Sequence, residues 1–98
     1  MNKRGFARGA GAVAGVVMEG HLRGVSDLHK LPAPKNATLG KLNDVLKDGG
    51  VLEIPAWRFN QHLIDLRNLC DHKLGSGPPT ENVEELILGV RKVIKTMF

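Results

Sequence analysis

Ninety-eight residues make one domain's worth of chain, 42% of it apolar, which suits a small packed core and excludes a disordered polymer. Only Phe6, Trp57, Phe59 and Phe98 are aromatic, too few for a nucleic-acid site built on stacked bases. The net charge is +4, and the whole excess lies in residues 1–36; on charge alone that is a soluble face with a small excess of lysine and arginine sooner than a surface for a polyanion.

Residues 5–31 read as a long first helix. Phe6, Ala10, Val13 and Val17 recur at helical spacing, and Ala14, Met18, Leu22, Val25 and Leu28 form a neighbouring stripe. Gly5/Gly9, Gly11/Gly15 and Gly20/Gly24 stand four apart, a spacing that lets another backbone approach closely. Each interior glycine costs about 1 kcal/mol against alanine, so this helix needs tertiary packing. Pro32 and Pro34 end it. The opening Met1–Arg4 followed by an Ala/Gly/Val run is too short for a membrane span and lacks a signal-peptide cleavage pattern, so a cytoplasmic protein is expected.

Asn36 or Thr38 caps a second helix over 38–48, with Leu39, Leu42, Val45 and Leu46 on its apolar face and Gly49-Gly50 at its end. Val51–Ile54 is a short apolar link with no strand to pair with. Pro55 sits in the first turn of a third helix over 55–73, and Trp57 anchors its start against the bundle. Phe59, Leu63, Leu66 and Cys70 form the buried stripe of that helix, which makes Cys70 a core residue and not a nucleophile. A second row, Gln61, Asp65, Asn68 and His72, is wholly polar. After Gly75, Gly77 and Pro78-Pro79, Thr80 caps a fourth helix over 80–97. Its stripe is Val83, Leu86, Ile87, Val90, Ile94 and Met97, with acidic residues early and basic ones late to suit the helix dipole. The expected fold is all-α, a single domain over 1–98 in the form of a four-helix up-down bundle.

The chemistry gathers in Leu66-Arg67-Asn68-Leu69-Cys70-Asp71-His72. Asn68 and His72 stack one turn apart, and the long Arg67 side chain can swing toward them. A guanidinium grips two phosphate oxygens at once, an imidazole carries a proton near neutral pH, and a carboxamide orients either one. The bland reading is a surface cluster in which Arg67 pairs with Asp71 and His72 caps helix-end carbonyls. Arg58 and His62, four apart on the same helix, form a decoy. Glu19 and His21 are candidate accessory groups, or simply a solvated face. No Cys/His pair or carboxylate cluster has metal-ligand spacing, so no metal and no cofactor is expected.

The stretch Trp57–Phe98 resembles the C-terminal half of a HEPN domain, the higher eukaryotes and prokaryotes nucleotide-binding superfamily. The likeness is carried by Trp-Arg-Phe, Leu-Arg-Asn-Leu-Cys-Asp-His, Val-Glu-Glu-Leu-Ile and Val-Ile-Lys. That family's signature is an Arg, a polar residue and a His four to six positions on, at the end of one bundle helix; Arg67, Asn68 and His72 match it. The resemblance implies a HEPN-like bundle that acts as a metal-independent endoribonuclease. Such an enzyme is a toxin or defence effector that leaves a 2′,3′-cyclic phosphate. It implies catalytic roles for Arg67, Asn68 and His72 in a composite site formed by a homodimer, with RNA as substrate and an antitoxin protein as a further partner. The alternative it implies is a non-catalytic HEPN-like module for dimerisation, RNA or nucleotide binding, or partner docking.

Overall fold

A computed structural model of the chain describes residues 3–71 and 80–97, with side chains described over 9–69 and 81–97. It forms an all-α four-helix bundle: α1 Lys3–Leu28, α2 Leu39–Asp48, α3 Ile54–Asp71 and α4 Thr80–Thr96. α1 and α3 form the centre, each packing on all three other helices, while α2 and α4 touch both of them and not each other.

The buried core is aliphatic: Met18 and Leu22 of α1, Leu42 and Leu46 of α2, Leu63 of α3 and Leu86 of α4 are wholly enclosed. At about 25 cal/mol per Å² of apolar surface, these side chains supply the main drive to fold. The inward arc of α1 follows the second of the two stripes readable in the sequence, Ala14, Met18, Leu22 and Val25, but Leu28, the last residue of that stripe, is 71% exposed. Of the first stripe, Val13 and Val17 point outward, 63% and 43% exposed with Val16 beside them 69% exposed, while Ala10 packs partly buried against the core. Two apolar rows compete for one helix, and the wider side chains Met18 and Leu22 occupy the interior.

Gly9, Gly15, Gly20 and Gly24 of α1 do not receive another backbone. A Cβ added at Gly9, Gly20 or Gly24 would meet nothing within 4 Å, whereas one at Gly15 would stand 2.9 Å from Cγ of Arg67. A comparable close approach occurs on α4, where Leu63 of α3 presses on Gly89.

α1 ends at Leu28, three residues short of the sequence boundary. Lys30 takes a left-handed φ of 56°, and the Leu31 N–H returns to the Ser26 carbonyl at 2.9 Å. That turn satisfies the helix-end carbonyl before Pro32 forces extended backbone on Leu31. Arg23 then holds the following loop, donating to the carbonyls of Pro34 at 3.2 Å and Ala37 at 3.3 Å. Thr38 is the cap of α2, its hydroxyl accepting from the Lys41 N–H at 3.2 Å. Gly50, at φ 80°, turns the chain out of α2, a conformation that suits glycine. Thr80 is already helical, so the residue capping α4 lies outside the described residues.

Contacts give the helix directions. Gly15 meets Arg67, while His29 and Phe59 line one groove, so α1 runs antiparallel to α3. His62 pairs with Glu85, and Lys92 lies over Phe59, so α4 is antiparallel to α3 as well. The strict alternation of an up-down bundle therefore covers α3 and α4, while α1 runs the same way as α4. The ten-residue connection from His29 to Thr38 is long enough to allow this.

Candidate functional site at the end of α3

α3 buries its core side chains, Leu63, Ile64 and Leu66, and Leu63 reaches Gly89 of α4. Arg67 follows on the edge of that inward arc and is half-buried. Its Cγ, Cδ and Nε lie where a Cβ of Gly15 would otherwise project, between 2.9 and 3.5 Å from that position. Gly15 thus provides the channel through which a guanidinium leaves the interior. At its tip, Nη1 donates to Oδ1 of Asn68 at 3.3 Å. Neighbours in a helix point about 100° apart, and the length of the arginine spans that angle. Asn68 is exposed.

Of the three residues singled out by sequence, the structure therefore brings two together, Arg67 and Asn68. His72 lies outside the described residues, as do the side chains of Cys70 and Asp71. A guanidinium whose stem is packed and whose tip is oriented by a carboxamide is preorganised to meet an anion, because little rotamer freedom remains to be lost on binding.

The polar row on α3 faces solvent, with Asp65 and Asn68 exposed and Gln61 half-buried; Gln61 Nε2 donates weakly to Asp65 Oδ1 at 3.5 Å. The decoy pair separates. His62 Nε2 lies 2.6 Å from Glu85 Oε2 in an exposed contact between α3 and α4, and Arg58 is exposed. Of the accessory candidates, Glu19 is half-buried one turn beyond Gly15. His21 is occupied elsewhere, donating from Nε2 to the Met97 carbonyl at 2.7 Å, where it caps the last turn of α4.

Sequence reasoning passed over a buried polar chain joining α2 to α3. Asn43 Nδ2 donates to the Trp57 carbonyl at 3.1 Å, and Asn60 Nδ2 donates to Asn43 Oδ1 at 3.1 Å. Trp57 Nε1 donates to Asp44 Oδ1 at 2.9 Å, and Lys47 Nζ stands 4.3 Å over the indole. A signal was present: Asn60 lies three and four residues before Leu63 and Ile64, on the same inward row, and Asn43 follows the buried Leu42. A polar residue on an apolar row is as a rule buried with a partner, as Asn43 and Asn60 are.

A groove of about 890 Å³ opens where the C-terminal ends of α1 and α4 meet the start of α3. Phe59, Asn60, Val93 and Met97 line it, with His29 and Lys92 at the sides. Arg67 is seven residues beyond Asn60, about 10 Å along the helix, so groove and arginine occupy different parts of α3. Among the described residues no three His, Cys, Asp or Glu side chains gather closely enough to hold a metal ion. No helix described is long and apolar enough to cross a membrane. Compared with known proteins, the chain matches no family model, no curated protein and no solved structure.

Proposed function

We propose that this chain is a metal-independent endoribonuclease of the HEPN kind, a cytoplasmic toxin or defence effector acting on RNA through Arg67, Asn68 and His72. The 2′-hydroxyl of RNA attacks its own adjacent phosphorus and the 5′-oxygen leaves, giving a 2′,3′-cyclic phosphate end. Arg67 binds the non-bridging oxygens as charge builds on them. His72 moves the proton, and Asn68 positions the guanidinium and the phosphate. Two copies complete the site, and an antitoxin protein restrains it.

The observation that supports this reading is the seating of Arg67: its stem lies against Gly15 and its Nη1 on the exposed Asn68 carboxamide. A surface arginine serving only solubility needs neither. The test is incubation with varied RNAs in EDTA. Cleavage that persists in chelator, yields cyclic phosphate ends and disappears in both Arg67→Ala and His72→Ala supports the nuclease. Pure protein that cleaves none of them overturns it in favour of the second reading, a non-catalytic HEPN-like docking module. One observation favours that second reading: the exposed apolar face of α1 formed by Val13, Val16 and Val17 involves none of the three residues.

A further inference from the structure

We propose that the groove between the ends of α1 and α4 and the start of α3 binds a neutral amphiphile, an apolar body carrying one hydroxyl or amide N–H that donates to the carboxamide oxygen of Asn60. The orientation of that carboxamide follows from its neighbours. The Trp57 carbonyl can only accept, so Asn43 turns Nδ2 toward it, at 3.1 Å, and leaves its own Oδ1 for Asn60. That oxygen accepts from Asn60 Nδ2 at 3.1 Å, so Asn60 Oδ1 faces the other way.

What this oxygen meets is the groove. Asn60 is only 2% exposed, and its Oδ1 has no donor among the described residues. It is nevertheless not one of the sealed polar atoms of the fold, as Ser26 Oγ is. The small surface that Asn60 keeps therefore includes its acceptor, and Asn60 lines the groove. An acceptor held in place by a buried network and left open is preorganised for a donor.

The rest of the lining limits what that donor belongs to. Beside Asn60 the floor is Leu52, Val93 and Met97, all buried and apolar, with half-buried Phe59. The lining groups that carry or can take charge, His29, Glu53 and Lys92, are exposed at the rim and of mixed sign. A charged head seated at Asn60 would lose its water with no counter-ion on the floor, a cost that a neutral donor avoids. A carboxylate would in addition set oxygen against oxygen. The volume of about 890 Å³ suits a body of drug size, for which pockets run to roughly 300–1,000 Å³. The site uses none of Arg67, Asn68 and His72, so it stands apart from the nuclease reading.

Octan-1-ol and its isomer 1-methoxyheptane are equal in size and differ in the donor. Each is titrated into the full chain while the NMR signals of the Asn60 side-chain amide and the Met97 methyl are followed. Octan-1-ol is expected to shift both, with a dissociation constant on the order of 0.1–1 mM, and the ether to bind about 3- to 10-fold more weakly. Octanoate should also bind more weakly than the alcohol. Thr96→Trp places an indole at the rim from an exposed position. It should weaken octan-1-ol at least about fivefold, with the melting temperature nearly unchanged. The proposal is overturned if octan-1-ol leaves both signals unmoved or shifts Val13, Val16 and Val17 instead. An ether that binds as well as the alcohol overturns it, as does a Thr96→Trp protein that binds like wild type. Octanoate as the tightest of the three overturns it too, by giving control to Lys92 at the rim.

Discussion

The two central helices each turn one face to solvent, and the faces are opposites. α1 presents Val13, Val16 and Val17 between the open Gly9 and Gly20, and the one charged residue of that stretch, Glu19, is half-buried. α3 presents Gln61, Asp65 and Asn68, with Arg67 emerging beside them. Both helices use the same inward chemistry, aliphatic side chains at three- and four-residue steps. Burial alone therefore decides half of each helix, and only the outward half is free to differ. The polar face is what any solvated helix would show. The apolar one leaves three valine side chains in contact with water. The exposed apolar row of this bundle is on α1, and the polar residues singled out by sequence are on α3.

The largest expected effect separates the inside of α1 from its outside. Leu22→Ala removes a wholly buried side chain and should cost about 2–5 kcal/mol by denaturant unfolding, the range for large-to-small changes in a core. Val16→Ala, six residues earlier on the open side, should stay within about 0.5 kcal/mol when measured on dilute, monomeric protein. If both destabilise alike, the outward face is covered within one chain and the contrast fails.

The glycines sharpen the same contrast at about 1 kcal/mol. Gly24→Ala adds a methyl to open space and should stabilise by roughly the helix-propensity difference, about 1 kcal/mol. Gly15→Ala places its methyl against Cγ of Arg67, near the root of the side chain where little can move. The gain in propensity is then offset by displacement of the arginine. Thermal melts should show Gly24→Ala above wild type and Gly15→Ala at or below it. RNA cleavage, if present, should fall in Gly15→Ala alone.

Much of this was legible in sequence, with a physical reason for each exception. Four helices and their breaks follow from Pro32, Gly49-Gly50, Pro55 and Pro78-Pro79. The inward stripe of α1 was one of two candidates, because valine and alanine rows at helical spacing look alike until the neighbouring helices are packed. The close approach at Gly15 follows from the position of α3, which spacing within α1 cannot convey. Arg67 and Asn68 were singled out from residue type and order, while the packing of the Arg67 stem on Gly15 was hidden. His21 looked like a solvated or accessory group because its partner, the Met97 carbonyl, lies 76 positions away.

A smaller effect is expected from the ion pair at the α3–α4 edge. His62 and Glu85 are each about half exposed, so solvent and salt screen them. A double-mutant cycle of His62→Ala and Glu85→Ala should give a coupling of no more than about 1 kcal/mol, fading in 1 M salt. A larger, salt-resistant coupling would mean the α3 surface is structural at this edge.

The smallest expected change in stability is also the one that most directly tests the division between the two faces. Asn68 is exposed and its one described hydrogen bond is to the neighbouring Arg67, at 3.3 Å. Removing the carboxamide leaves no buried group stranded, because water can reach the guanidinium tip. Asn68→Ala should therefore unfold within about 0.5 kcal/mol of wild type. Its helix propensity should even gain slightly, since alanine ranks above asparagine. A loss above about 1 kcal/mol would show that the carboxamide holds α3 in place, which would make the Arg67–Asn68 contact architectural. A neutral variant in which RNA cleavage or binding nonetheless drops would separate folding from chemistry at a single side chain, which a polar surface kept only for solubility could not do.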